Sequence, residues 1–467
     1  MKKVVLIAIG TIFIFSSCGE KKAANSHYPL ARKGEVIEDY HGTRVADPYR
    51  WLEDAHSAET IAWSNAENQL TTQYINSLPF YKTVEDSVSR LSNYSTISVP
   101  VRRGNRLFYQ KKEPGRDHPV VSMIKNMETE SRVILDRNDS ELDEAVSLYP
   151  PSFSPNGKLM VYTTQKIHEQ FPKIKIRSID EGKDYEEILE RTSLPEVAWT
   201  PDNAGFYYSA WDMPGKGAAG TFFLKSRVYY HKVGTPQSSD IDIFSKPDLL
   251  NAFCIPRVTE DQKYLVITAA EANQSSSRVY YRPIGRKTDF IPLLNKNGEE
   301  YLFLGNSGKE FYFQTMVDAP NGRVISVDIS KPGREFWREI IPENKESVLY
   351  RMLFSPGVKL IHNQLVAVYE QNAHHQIRLF NLDGSFDREI ELPTMGTVIG
   401  LASGGLSGDP RGDDMYFYFE SFIYPPTTYH YDFKTGELSI YYQPKIDFDL
   451  AEYVTEQLFG TDRKSVV

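Results

Sequence analysis

The sequence predicts a mainly β protein, a seven-bladed β-propeller preceded by a helical segment. Three observations carry that expectation. Short runs of Tyr, Phe and β-branched residues, each opened by a polar turn, recur seven times at roughly 45–60-residue spacing, the length of a four-stranded propeller blade. Long helical periodicity is confined to one stretch near the N-terminus. The 467 residues include 29 Tyr and 25 Phe against 5 Trp, side chains that suit a pleated surface better than a helix.

The chain opens with an address. Lys2 and Lys3 precede an apolar run from Val4 to Phe15, followed by Ser16-Ser17-Cys18-Gly19. About a dozen apolar residues are too few to cross ~30 Å of hydrocarbon, so the run reads as a secretory signal and not a membrane span. A cysteine directly after small residues resembles the lipobox of bacterial lipoproteins. Residues 1–18 are therefore expected to be a signal with Cys18 as the lipidated residue, and 19–27 a polar tether. The protein is then exported, periplasmic or anchored in the outer membrane, and touches membrane only through that lipid. With Cys18 outside the fold, Cys254 stands alone between Phe253 and Ile255. No intrachain disulfide is expected, and a buried structural thiol is the reading for Cys254.

Ser57 to Leu78 carries the clearest helical pattern. Ala58, Ala62, Ala66, Leu70, Tyr74 and Leu78 recur every fourth residue, Ile61 and Trp63 widen the apolar face, and Pro79 ends it. A shorter helix with Val84, Val88 and Leu91 on one side follows. From about Ser98 to Tyr442 strands take over. The repeating phrase is Arg103-Gly104-Asn105 before Leu107-Phe108-Tyr109, then Ser154-Pro155-Asn156-Gly157 before Leu159 to Tyr162. Next come Thr200-Pro201-Asp202-Asn203 before Phe206-Tyr207-Tyr208, and Thr259-Glu260-Asp261 before Tyr264 to Ile267. The last three are Asn306-Ser307-Gly308 before Phe311 to Phe313, His362-Asn363 before Leu365 to Tyr369, and Asp409 to Asp414 before Met415 to Phe419. Two tandem β-sandwiches are the competing architecture; seven evenly spaced units favour the propeller, whose radial closure leaves only short sheet edges.

Composition excludes several functions. A formal charge of −9 lacks the basic footprint of a nucleic-acid binder. Two cysteines cannot build a four-thiolate zinc site. Gly215-Lys216-Gly217-Ala218-Ala219-Gly220 spells G-x-G-x-x-G, but strand residues follow where a phosphate-binding helix must start, so it reads as a loop. His374-His375 would point to opposite faces of a strand and reads as a hairpin loop between strands ending at Tyr369 and starting at Ile377. Trp211-Asp212 occurs once and not once per blade. His41 and Asp47 read as structural. The sequence contains no HExxH, P-loop or paired-thiol motif and no G-x-S-x-G; Gly305-Asn306-Ser307-Gly308 and Gly405-Leu406-Ser407-Gly408 lack its spacing. No catalytic, cofactor-binding or metal-ligating residue is therefore assigned.

Two segments nevertheless resemble the prolyl oligopeptidase family of serine peptidases. The first is Asp39-Tyr40-His41-Gly42 with Asp47-Pro48-Tyr49-Arg50-Trp51-Leu52-Glu53-Asp54. The second is Asp413-Asp414, Tyr416, Phe419 to Phe422, Pro425, Tyr429-His430-Tyr431-Asp432 and Thr435-Gly436-Glu437. Ala198 to Asp202 and Val228 to His231 look like further counterparts. The resemblance implies an α/β-hydrolase domain built from both chain ends around an inserted seven-bladed propeller. Residues 28–98 would be the helical N-terminal piece of the hydrolase domain, 99–442 the propeller, and 443–467 the start of the returning hydrolase domain. It implies a serine endopeptidase without cofactor, acting on short proline-containing peptides, with the propeller gating access. The family's Ser/Asp/His triad lies further along the chain than these positions, so the 467-residue chain alone is expected to be inactive. Asp462 to Val467 departs from the hydrolase pattern and back-translates to a common sequencing-adapter string, so residues 462–467 are expected to be an assembly artefact. The alternative function is a lipid-anchored propeller that binds peptide or glycan without catalysis.

Overall fold

A computed structural model describes residues 28–460, apart from 126–129, 137, 139–149, 167–168, 170, 194–195, 213–224, 247, 250–251, 272–275, 287, 353–354, 399–404 and 448. The chain divides between Ser92 and Asn93 into two compact units.

In the first unit, a two-stranded antiparallel hairpin, β1 (Ile37–Tyr40) and β2 (Thr43–Ala46), turns at His41 and Gly42. Both turn residues have positive φ, 54° and 90°, and the Asp39 carboxylate accepts from the Gly42 N–H at 2.6 Å. This left-handed pair matches the right-handed twist of the strands, so His41 serves the turn. Arg50 ties the hairpin to the chain that follows it, donating to Asp47 at 2.6 Å and to Glu38 at 2.7 Å.

Helix α1 spans Ala58–Ser77, with Ser57 as the N-cap residue whose hydroxyl accepts from the Thr60 N–H at 3.1 Å. Helix α2 spans Tyr81–Ser92. Neither helix has a buried residue. Of the expected apolar face, Trp63, Leu70 and Leu78 are half-buried. Ile61, Tyr74, Val84, Val88 and Leu91 are exposed. No helix among the described residues is long and apolar enough to cross a membrane.

The second unit is the propeller. Among the described residues its blades are seven antiparallel sheets, at 96–135, 152–189, 198–244, 252–294, 301–341, 348–390 and 407–442. In blades 1 and 6 the first strand is broken in two, both pieces pairing the same second strand. The repeated sequence phrase has a definite place in this plan: all seven aromatic runs lie in the second strand of a blade, and each polar turn is the hairpin leading into it. Blades 2, 3 and 4 build that hairpin identically. Ser154, Thr200 and Thr259 each donate a side-chain hydrogen bond to Asn156, Asp202 or Asp261 two residues on, and close the turn by accepting from the backbone of Leu159, Gly205 or Tyr264. The last strands of the blades are the most exposed, as in Lys183–Leu189 and Phe386–Ile390, whereas first strands such as Ala252–Val258 and Tyr301–Ser307 are mostly buried. The first strands therefore line the centre.

The core is distributed between blades. Among the described residues seven apolar clusters sit one at each junction of neighbouring blades. The junction of blades 7 and 1 has the smallest: Val99, Leu107 and Tyr416 are its buried members. Among the described residues no strand is exchanged there; instead Thr428 donates to the Ile97 carbonyl and the Tyr442 hydroxyl to the Ser95 carbonyl, both at 3.1 Å.

Candidate functional site

Each first strand and its hairpin present side chains to the central channel, and their charges converge there. Arg103 ends the first strand of blade 1, Arg257 lies in that of blade 4, and Lys359 in that of blade 6. Glu196 precedes blade 3, Glu260 occupies the middle of the blade 4 turn, and Asp409 and Arg411 sit in the blade 7 turn. These residues interact across blades that are not neighbours. Arg103 feels Glu260 and Asp409; Glu260 feels Asp409, Arg103, Arg257 and Arg411; Lys359 feels Arg257, Glu196 and Arg103. Only a shared channel brings blades 1, 4, 6 and 7 to one cluster.

The channel walls perturb these groups. Crowding raises the Glu260 carboxyl above the usual carboxylate range, with Asp409 adding like-charge repulsion. It lowers Arg103, although that side chain remains open to channel solvent. Burial lowers Lys359 to about 8, with Arg257 as the next contribution. Arg257 meets Glu196 at 3.5 Å. The Lys359 ammonium donates to the Leu406 carbonyl and has no ion-pair partner among the described residues.

Other sites weighed from sequence fall into structural roles. Gln371 and His374 end the two paired strands, with Asn372 and Ala373 as the turn at φ 51° and 58°. The hairpin is thus tighter than expected, and the histidines belong to the strand. His375 is buried, accepts from the Val398 N–H at 3.1 Å, and is pushed by burial to about 4; His374 is only partly covered. Cys254 is fully buried and its thiol is pushed up to about 12, which makes it unreactive. Trp211-Asp212 ends a strand, with Asp212 paired to Arg227 at 2.5 Å. Ser307 and Ser407 lie in strands, without the helix a nucleophile elbow requires. Cys18, Gly215 to Gly220 and residues 462–467 lie outside the described residues. Arg103 and Lys359, two of the channel cations, had no signal in the sequence: a lone basic residue on a strand does not reveal which face is central.

A ring of seven four-stranded blades with a charged channel defines a β-propeller. The family profile of the prolyl oligopeptidase N-terminal β-propeller domain matches residues 28–444, and this chain belongs to that family. It is 30% identical over 450 residues to the prolyl endopeptidase of Elizabethkingia meningoseptica, covering 96% of this chain and 62% of that protein. It is 27% identical to prolyl oligopeptidase A of Amanita bisporigera, covering 77% of this chain and 51% of the relative. Among solved structures, one from a structural and mechanistic study of two prolyl endopeptidases superimposes with a TM-score of 0.82 at 26% identity, covering 93% of this chain and 62% of the other. Prolyl oligopeptidase B of Galerina marginata matches with a TM-score of 0.80 at 21% identity, a likeness of fold. The chain spans less than two thirds of the length of these relatives.

Proposed function

We propose that this chain is the propeller-bearing part of an exported serine endopeptidase of the prolyl oligopeptidase type, hydrolysing short proline-containing peptides. The observation that supports the reading is the family match over residues 28–444, with curated relatives named prolyl endopeptidase. In such an enzyme a serine attacks the scissile carbonyl, a histidine carries the proton to the leaving amine, and a carboxylate orients the histidine, with no metal or organic cofactor needed. The 467 residues contain no G-x-S-x-G, so we assign the nucleophile, base and acid to further polypeptide and expect this chain by itself to be inactive. The exposed apolar residues of α1 and α2 fit that assignment, because each large side chain gains ~1.5–3 kcal/mol when covered. The charged channel would then restrict entry to narrow, extended peptides. We further propose that Cys18 carries the lipid and that residues 19–27 are the tether.

The first test is to resequence the source DNA across the codons for Gly460 to Val467 and onward from an independent library. A frame that continues for roughly 250 residues, a domain-sized stretch, with a nucleophile elbow and later Asp and His, is the expected result. A native stop after Val467 overturns the peptidase reading and leaves a lipid-anchored binding propeller. For the anchor, Cys18→Ser should move the protein from the membrane fraction to the soluble periplasmic fraction; unchanged membrane association refutes it.

A further inference from the structure

Beside the charge cluster, a cavity of about 220 Å³ opens among blades 1, 2, 6 and 7. Its walls mix apolar side chains, Val101, Phe108, Phe153 and Leu406, with neutral polar ones, Gln110 and Ser407. Two cations, Arg103 and Lys359, reach it, and among the described residues no carboxylate lines it. That arrangement is unfavourable when empty. Arg103 and Lys359 repel one another, and Lys359 is held by a backbone carbonyl, not by a carboxylate. The nearby acids stand outside the cavity lining: Glu196 pairs with Arg257 and also attracts Lys359, while Glu260 and Asp409 attract Arg103 from hairpin turns. Two positive charges over partly apolar walls, with neutral polar groups beside them, are complementary to an anionic head on a small, mostly apolar body. A guanidinium supplies a planar fork for two carboxylate oxygens and an ammonium supplies a point charge.

The volume narrows the class. At about 220 Å³ the cavity is smaller than the ~300–1,000 Å³ of typical small-molecule sites, so it takes a terminal residue and its carboxylate and not a whole oligopeptide. We propose that this cavity binds the free C-terminal carboxylate of a short peptide with an apolar last residue, Arg103 and Lys359 holding the carboxylate and the apolar side chains of the wall covering the residue. The choice of a peptide as the source of the carboxylate rests on the peptidase reading. The anion site rests on the cavity and its cations alone. In a peptidase that cleaves after proline, every acyl product ends in such a carboxylate, so the site would retain product or the free end of a substrate inside the channel.

The test is calorimetric titration of the purified chain at pH 7 with N-acetyl-leucyl-proline, its C-terminal amide and inorganic phosphate. The carboxylate is expected to bind at least tenfold tighter than the amide and than phosphate. Arg103→Gln and Lys359→Gln should each weaken it at least tenfold. Lys359→Arg, which keeps the charge, should retain binding, and it stands in if Lys359→Gln fails to fold by circular dichroism. Arg338→Gln, on the last strand of blade 5, should change nothing. Equal binding of acid and amide, no binding of the acid, or unaltered binding in both Gln variants overturns the proposal. Phosphate binding as tight as the peptide acid overturns the peptide and leaves a site for free inorganic anions. Turnover by a longer product of the gene is a separate readout, so failure of the peptidase reading is distinguishable from failure of this site.

Discussion

Replacing Lys359 by methionine should stabilise the propeller, although it removes a hydrogen bond. Burial in the channel wall, with repulsion from Arg257 and Arg103 outweighing the pull of Glu196, holds the folded pKa of the ammonium at about 8 against 10.5 for the free side chain. At about 1.4 kcal/mol per pH unit, that gap costs the folded state about 3 kcal/mol at pH 7. The folded value lies below the unfolded one. Between about pH 8 and 10.5 the native state therefore holds fewer protons than the unfolded chain, and stability rises with pH. The penalty is complete below pH 8 and has fallen to about 1.5 kcal/mol at pH 9.5. Losing the bond to the Leu406 carbonyl offsets about 2 kcal/mol of this at pH 7, where the donor is charged, and about 1 kcal/mol at pH 9.5, where it is mostly neutral. Lys359→Met should thus gain about 1 kcal/mol at pH 7 and almost nothing at pH 9.5. Urea unfolding followed by far-ultraviolet circular dichroism at both pH values measures it. A loss of stability at pH 7, or an equal gain at both pH values, would refute the reasoning. A lysine that weakens the fold where it stands is the kind of residue retained for binding.

Acid should act through His375, which is folded as a neutral acceptor. Its pKa of about 4 lies below the free value of 6.5, so stability should fall as pH drops from about 6.5 to about 4, by at most about 3 kcal/mol; His375→Gln should flatten that slope in the unfolding midpoint. Amide exchange followed by mass spectrometry should find Ser57 to Leu78 weakly protected in the 467-residue chain and the blade strands strongly protected; strong protection across Ser57 to Leu78 would count against an unpartnered helical segment. The junction of blades 7 and 1 should be the propeller's weakest, because three buried side chains hold it. The buried residues of strands Arg106–Lys112 and Asp414–Phe419 should then exchange faster than the buried residues of Tyr264–Glu271 in blade 4, and equal rates would show the seam to be no weaker than the rest.

Much of this protein was legible from its residues because the signals are local. Ser57 caps the helix its spacing announces, and Pro79 ends it. The Ser/Thr-x-Asn/Asp phrases mark blade turns because the side chains that spell them close the hairpins through their own hydrogen bonds. The aromatic runs mark strands buried on both faces, and their recurrence counts the blades. Local chemistry did not reveal that every run is the second strand of its blade, since pairing order depends on neighbours distant along the chain. The tightness of the hairpin at Asn372 and Ala373 was missed because two left-handed non-glycine residues leave no glycine signal. The channel was wholly hidden. Arg103, Glu260, Lys359 and Asp409 are ordinary charged residues in four separate blades. Ring closure alone brings them face to face, sets Lys359 beside a carbonyl, and leaves two cations over a partly apolar cavity. Turns and strands follow from short-range sterics and hydrogen bonds; the electrostatics of a shared centre exist only once seven blades have closed around it.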